Sequence, residues 1–322
     1  MTTGDLRLVL LLVLLVCTSV IFTTCSDVPV PVAPHDLSIS AAKGGIRSPT
    51  PDQVGADQDT EAILTAMVAD ANARLAAKSY PYRIERAFYY TAGEEQGRTI
   101  FFDDRTLRLG IHYVPGDPRR ANGDNLDIAY MIDQVELPTG FDAATTTAAG
   151  DRAMSTWNSV ECSDIPITKL PNIPDDIGFL NGGLFAALLG ADITHAGWLP
   201  TLGGTTLGVT IPFGFIDGEG NFTDINNDGM VDTAFSEIYY SNAFTWADDG
   251  VNNIDIETVM LHEAAHGLDQ GHFGKLFQTD ANGRFHFAPR AVMNAGYTGP
   301  QRTIGRTDEA GHCGIWGRWP RR

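Results

Sequence analysis

The sequence predicts an α+β protein, on three observations. Apolar side chains recur at helical spacing in three stretches, shorter alternating or aromatic runs of strand length lie between them, and clusters of Gly, Pro and Asp punctuate the joins. A hydrophobic fraction of 43% over 322 residues can bury a core, which argues against a wholly disordered chain; the length fits one large domain or two ordinary ones. Four cysteines are too few for a disulfide-built scaffold, so stability rests on that core. Charge narrows the partners. With 22 basic against 40 acidic side chains the net charge is -18, which repels phosphate backbones and anionic headgroups and speaks against nucleic-acid or membrane-surface binding.

Arg7 precedes the apolar run 8–16, and small polar residues follow to Ser26, the order of a secretory signal; residues 1–26 read as a signal peptide, and the mature protein as exported without stable membrane insertion. Two readings compete: a retained anchor, since the run continues through Val20, Ile21 and Phe22 but falls short of about 20 apolar residues, and a lipoprotein acylated at Cys17 or Cys25. If both of these cysteines leave with the signal, Cys162 and Cys313 remain as an even pair in an oxidising compartment, and a disulfide between them is expected. Residues 27–56 carry Pro29, Pro31, Pro34, Pro49 and Pro51 without apolar periodicity and read as a flexible linker.

Residues 57–97 read as a helix followed by a strand, either a pro-segment or an extension of the main domain at 98–322. Asp57 and Asp59 start the helix, Ile63, Met67, Ala71 and Leu75 form its stripe up to Lys78, and the aromatic run 82–90 is the strand. Further strands are expected at 99–102, 107–114, 127–132, 191–197, 208–215 and 237–244. A second helix at 143–158 has Ala149, Ala153 and Trp157 on one stripe with Met154 beside it, and tolerates Gly150 at about 1 kcal/mol. A third begins near Asp255, whose side chain can cap it, with Glu257 in the positive first turn.

That third helix carries the chemistry, in the run His262-Glu263-Ala264-Ala265-His266-Gly267-Leu268-Asp269-Gln270-Gly271-His272. Residues four apart share a helix face, so His262 and His266 can aim imidazole nitrogens at one zinc ion. Glu263 can reach the open coordination position as a general base and is not a ligand. His272 lies too far along a straight helix to meet the same ion, so the helix must stop and the chain turn. Gly267 and Gly271 supply permissive backbone there, and Asp269 tolerates a left-handed conformation. Three neutral histidines with an open fourth position define a catalytic zinc site.

This run resembles the zinc motif of the metzincin metallopeptidases, most closely their matrixin-like group. His262, Glu263, His266 and His272 fall on the family's positions, with Asp269 where the family has Gly. Downstream, Ala291-Val292-Met293-Asn294-Ala295-Gly296-Tyr297 resembles the family's Met-turn, which makes Met293 an apolar floor beneath the metal. Ala295, in place of the usual proline, and Tyr297 then line the wall of the specificity pocket. Tyr297 is not a transition-state donor, because metzincins that use such a tyrosine carry it two residues after the Met, where this chain has Ala295. More loosely, 143–168 resembles the long first helix of matrixins and the turn after it, and 308–316 their C-terminal helix. The resemblance spans about residues 99–322. It implies a metzincin-like zincin fold: a twisted mixed sheet, an active-site helix, a long packing helix and a C-terminal helix, the last two packed so that Cys162 and Cys313 come within bonding range. It also implies hydrolysis of peptide bonds in polypeptides lying extended along an edge strand at 208–215. No cysteine occurs in 57–97, so any latency differs in device from that of animal matrixins.

A second metal signal spans 224–232. Asp224, Asn226, Asp228 and Asp232 occupy loop positions one, three, five and nine around Gly229 at six, matching the first part of a calcium loop. Position twelve is Phe235, so the Met230 carbonyl, water or Glu237 must complete the shell; the competing reading is a solvated Asx-rich turn. Asp217, Glu219, Asp248 and Asp249 read as solvated turns, and His112, His195, His286 and His312 as hydrogen-bonded or surface histidines. The expectation is a secreted, calcium-stabilised zinc endopeptidase acting on polypeptides, with its oligomeric state open. Its rivals are an exported calcium-dependent binding or adhesion protein on a peptidase fold, which should lack the base that Glu263 supplies, and a zinc amidase acting on small or cell-wall peptides.

Overall fold

Ten strands in one mixed sheet carry the computed structural model, which describes residues 60–92, 96–102, 110–200, 202–281 and 284–320. These all fall within one compact unit. The signal and linker expectations for 1–56, with Cys17 and Cys25, and the helix start at Asp57 and Asp59 lie outside the described residues. Among the described residues no helix is long and apolar enough to cross a membrane.

In chain order the elements are α1 (Thr60–Ala77), β1 (Tyr82–Ile84), β2 (Arg86–Ala92), β3 (Thr99–Phe101), β4 (Ile111–His112), β5 (Ile128–Ile132), α2 (Ala143–Asn158), β6 (Ile167–Lys169), α3 (Ala186–Leu189), β7 (Ile193–Leu199), β8 (Thr206–Phe215), β9 (Val231–Ser241), β10 (Trp246–Ala247), β11 (Ile254–Asp255), α4 (Ile256–Gly267), β12 (Lys275–Gln278), β13 (Phe285–Ala288), β14 (Gly296–Tyr297) and α5 (Arg306–Trp316). The class is α+β at this coarse level. The sheet runs β14-β2-β8-β9-β7-β5-β6, with β1 on β8, β3 on β2 and β4 on β9. Helix α2 carries the chain from β5 to β6, and such crossovers make parallel neighbours; β6, β5, β7 and β9 run parallel. β8 turns back against β9, β2 runs antiparallel to β8, and β14 runs parallel to β2.

Both sheet faces are covered, so β7, β8 and β9 are buried along their full lengths. On one face, Ala149, Ala153 and Trp157 of α2 pack with Val259, Met260 and Leu261 of α4 and Trp316 of α5. On the other, Leu64, Val68, Ala71 and Leu75 of α1 pack with Phe185, Phe213 and Phe235. Alternation divides each strand between the two cores: Tyr239 faces α1, whereas Ile238 and Tyr240 face α4. The disulfide joins Cys162, just after α2, to Cys313 in α5, with Cα atoms 5.7 Å apart.

Several expectations change. The buried stripe of α1 is Leu64, Val68, Ala71 and Leu75, with Ile63 and Met67 only half-buried. Uniform four-residue steps drift by about 40° each on a helix of 3.6 residues per turn, and mixed four- and three-residue steps hold one face. The strand expected at 82–90 divides at Glu85 into β1 and β2, and β9 starts six residues before the expected 237 because burial on both faces erases the alternation that marks a strand start. Of 107–114, only Ile111–His112 forms a strand among the described residues. At Gly150 a Cβ would lie 2.7 Å from Ile132 Cδ1, the far end of a side chain that would have to shift to admit it.

Candidate metal centre

Helix α4 is held along its length. The Asp255 carboxylate caps it by accepting from Thr258 N at 2.9 Å, and Arg302 pairs with that carboxylate. In the middle, the Trp157 indole donates to Leu261 O at 2.9 Å, and at the end the Trp316 indole donates to Leu268 O at 2.9 Å. The helix stops at Gly267, and the chain turns through Asp269 at φ 64°. The Asp269 carboxylate accepts from Tyr113 N at 3.0 Å and from the Thr233 hydroxyl at 3.1 Å, so this side chain fastens the turn to its neighbours. Neither expected glycine does the turning by left-handed backbone. Gly267 is the last helical residue, 3.1 Å from Ile193 Cγ2 by its would-be Cβ, and Gly271 has no positive φ.

The turn returns His272 to the helix. Its Nε2 lies 3.1 Å from His262 Nε2 and 3.0 Å from His266 Nε2, and the latter two are 3.1 Å apart. Among the described residues these three form the one His, Cys, Asp or Glu cluster able to hold a metal ion. Protonation fits a cation. His262 Nδ1 is 2.7 Å from Val292 O and His266 Nδ1 is 2.6 Å from Gln270 O; carbonyls only accept, so both Nδ1 atoms carry the hydrogen. Burial drives the His262 pKa down to about 4 and that of His266 well below its usual value, keeping both rings neutral. Their Nε2 lone pairs therefore face each other at contact distance, an arrangement that a shared metal ion relieves.

Glu263 lies beside the trio, fully buried. The Thr210 hydroxyl donates to its Oε2 at 2.6 Å, while Oε1 has no hydrogen-bond partner. Burial pushes its pKa up to about 8, against the opposing Thr210 bond. Gly208 gives it room, since a Cβ there would come within 2.7 Å of Oε1. The segment carrying Val292 and Met293 is clamped from α5: Asp308 Oδ2 accepts from Val292 N and Oδ1 from Met293 N, both at 3.1 Å. Met293 is wholly buried in the core that contains α4. The Tyr297 hydroxyl accepts from Asp255 N at 3.0 Å, which ties it to the start of α4, and the Ala295 carbonyl accepts from Gly97 N at 2.7 Å.

One expectation about the cleft is overturned. β8 is not an edge strand: β9 pairs with one side of it, and β2 and β1 pair with the other. The aromatic strand β2 lies over the histidines, with the Tyr90 ring stacked 3.8 Å from that of His262 and the Phe88 ring 4.5 Å from that of His266.

At 224–232 the chain folds into a loop with Asn227 at φ 57° and Gly229 at φ 86°. Asp224 accepts from Asp228 N and Gly229 N, and Asn226 donates to Asp228 at 2.9 Å. The carboxylate of Asp232, expected as a loop ligand, is buried and pairs with Arg119 at 2.8 Å and with the Thr223 hydroxyl. Glu237 departs too. It is enclosed beneath the 176–186 segment, accepting from Phe179 N at 2.9 Å and from the Tyr239 hydroxyl. Met230 is exposed at the end of the loop. Asp248 is an ion-pair partner of Arg152 and Arg302 and not a free turn residue. His195 and His312 are buried and hydrogen-bonded, to the Tyr240 and Ser163 hydroxyls.

Sequence reasoning missed Thr210, Gly208, Asp308, Phe88, Tyr90 and the carbonyls of Val292 and Gln270. The strand expected at 208–215 contains Gly208 and Thr210, and the helix expected at 308–316 starts at Asp308, but neither pattern marked these residues, and the aromatic alternation of 82–90 did not indicate what its rings would cover. No family model matches the chain, and no curated protein matches it.

Proposed function

We propose that this chain is an exported zinc endopeptidase of the metzincin type, nearest in motif to the matrixins. One observation carries the reading: three imidazole Nε2 atoms converge within 3.0 to 3.1 Å beside a buried carboxylate that keeps one oxygen unpartnered. Nitrogen-only ligation by three neutral histidines suits zinc and leaves a coordination position open. When bound, zinc supplies Lewis acidity toward a peptide carbonyl and acidifies water at the open position.

The chain's own groups do the rest. Val292 O and Gln270 O hold the His262 and His266 rings in the ligating tautomer. Thr210 anchors Oε2 of Glu263, which leaves Oε1 to accept a proton from the attacking water and return it to the leaving amine. The secretory signal and the Cys162–Cys313 disulfide support an oxidising, extracellular setting. A structural calcium at 224–232 belongs to the same reading, carried by Asp224, Asn226 and Asp228. Added calcium should raise the melting temperature, and Asp228→Ala should abolish that rise; an equal rise in the variant removes the calcium site.

The test of function is cleavage of quenched casein or gelatin by the zinc-loaded chain, assayed intact and after limited proteolysis, with and without a zinc chelator. A Glu263→Ala variant that keeps one zinc per chain serves as control. Chelator-sensitive cleavage, lost in the variant by about 100-fold or more, is the expected result. Equal cleavage by the variant removes Glu263 as base, and chelator-resistant cleavage removes the metal.

A further inference from the structure

In a chain with 40 acidic against 22 basic side chains, a cation that keeps no carboxylate partner runs against the composition. Arg119, Arg120, Arg152 and Arg302 each pair with carboxylates of the same chain. Lys275 and Arg290 do not: both are exposed, and neither side chain has a hydrogen bond or ion pair among the described residues. They stand at the base of the ribbon formed by β12 and β13, a two-stranded sheet of its own. β12 starts three residues after His272, and β13 ends just ahead of the turn that carries Val292 and Met293. The base of the ribbon is pinned to that turn. Phe273 N donates to Met293 O at 3.0 Å, and Asn294 Nδ2 donates to Phe273 O and to Pro289 O, both at 3.0 Å. Gly274, at φ 91°, permits this approach, since a Cβ there would lie 2.6 Å from Asn294 Nδ2. Lys275 and Phe277 alternate onto one face, opposite Ala288 and His286 across the ribbon. Phe277 is 45% exposed and stacks on the His286 ring with centroids 5.5 Å apart, whereas Leu276 and Phe287 of the other face are half-buried. Arg290 lies within electrostatic reach of the metal centre: burial pushes the Tyr90 pKa well up, the Arg290 charge pulls it back, and the Tyr90 ring is stacked on that of His262. A cavity of about 340 Å³ reaches Gly271 and His272, from which the ribbon departs.

We propose that the β12–β13 ribbon, with Lys275, Phe277 and Arg290, is a docking surface for an acidic, extended segment of the polypeptide substrate, and that it leads the substrate to the metal centre at His272. The proposal rests on the peptidase reading and names the substrate class for that same site. Charge decides the partner. At physiological salt, exposed charges more than about 8 Å away are largely screened. An approaching segment therefore senses Lys275, Arg284 and Arg290 against Asp280 on and beside the ribbon, and not the -18 of the whole chain. The same contrast runs through the sequence: residues 273–322 hold eight basic side chains against three acidic, so the excess of acid lies elsewhere. Backbone geometry decides the conformation of the partner. No further strand pairs with β12 or β13 among the described residues, so each keeps an outer edge to which an extended chain can add. Two-stranded ribbons are marginal in water, and a third strand stabilises them. Phe277 supplies apolar contact beside the Lys275 ammonium, on the face that alternate side chains of the added strand would share.

The test uses the full zinc-loaded chain. Binding is read, in a Glu263→Ala background, by the anisotropy of a labelled peptide that alternates Glu and Thr and of its Gln analogue. Turnover is read, with Glu263 in place, on quenched casein and on the same casein with its carboxylates converted to amides. Lys275→Glu/Arg290→Glu is compared with Lys78→Glu/Lys169→Glu, which makes the same change of charge after α1 and on β6, the sheet edge opposite β14. At low salt the Glu peptide should bind about 10-fold more tightly than the Gln peptide, the scale of a few exposed ion pairs together, and the margin should shrink as salt rises. The margin should vanish in Lys275→Glu/Arg290→Glu and persist in the control. Casein kcat/KM should fall by about the same factor in the ribbon variant, through KM, with no such loss on the amidated casein. Equal affinity of wild type for the two peptides overturns the proposal, as does an unchanged margin in the ribbon variant. If the double reversal loses its zinc, Lys275→Gln/Arg290→Gln decides, because it removes the charges without reversing them. Ribbon-dependent binding of the Glu peptide without cleavage of either casein retains the surface and rejects the peptidase reading. Cleavage indifferent to both the variant and the amidation rejects the surface and retains that reading, so the two fail separately.

Discussion

Gly208 and Thr210 show how much of the candidate site depends on single residues outside the histidine cluster. Thr210 holds one oxygen of Glu263, and the missing side chain at 208 makes space for the other. Gly208→Ala should push Glu263 aside while leaving the three histidines in place. The expected outcome is one zinc per chain as in wild type, with peptide cleavage reduced about 10- to 100-fold, the range that a displacement near 1 Å can produce. Unchanged turnover would mean that Glu263 does not act from the position described. Asp269 does two things at its position: it adopts the left-handed backbone that ends α4, and its carboxylate bonds to Tyr113 N and Thr233. The first was readable from residue type, because Asp tolerates φ above zero. The second was not, because its partners come from β9 and the segment after β4.

At the scale of elements, α4 presents the histidines because α2, α5 and the 291–297 turn lock it. Asp308 in α5 is the least obvious of these contacts. Its two oxygens hold Val292 N and Met293 N, and Val292 O in turn holds His262 Nδ1, so the helix sets a candidate metal ligand through two hydrogen-bonded steps. Asp308→Ala should therefore weaken zinc binding by about 10- to 100-fold in competition with a chromophoric chelator, the effect of losing an outer support of a ligand histidine. Wild-type affinity in that variant would show that the turn holds its shape without the clamp. α2 spans the 143–158 expected from its Ala149, Ala153 and Trp157 stripe, and the structure adds a cap at Asp142 that the sequence reading did not single out. β8 was legible as a strand but not as an interior one, since which strands flank it depends on pairing with residues more than 100 positions away.

For the whole molecule, Glu237 links the central strand β9 to the 176–186 segment across the α1 face of the sheet. Burial pushes its pKa from 4.5 up to about 7, while hydrogen bonds from Tyr239, Phe179 N and Ala186 N and the nearby charge of Arg74 pull the other way. A pKa raised by folding means that the folded state binds this proton more tightly than the unfolded state. Its contribution to stability is then fully present below about pH 4.5 and is lost as pH rises through about 7. Unfolding free energy, measured by urea titration, should fall across that window by up to about 1.4 kcal/mol per pH unit from this group, and Glu237→Gln should remove that part of the slope. Identical slopes in the two proteins would show that Glu237 is ionised in the folded state throughout. The Cys162–Cys313 disulfide acts at the same scale, joining positions 151 residues apart across the helical face.

Sequence alone determined what local geometry controls: the four-residue spacing that puts His262 and His266 on one helix face, the Asp255 cap and the need for a turn before His272; the pairing of Cys162 with Cys313 was reached by counting, on the expectation that residues 1–26 leave as a signal. Each follows from backbone periodicity or from counting, and needs no knowledge of what lies nearby in space. Tertiary structure decided the rest. That Thr210 anchors Glu263, that Asp232 pairs with Arg119, and that Phe88 and Tyr90 cover the imidazoles are outcomes of strand order and register. Register is set by the summed burial and hydrogen bonding of distant segments, and no stretch of sequence encodes it on its own.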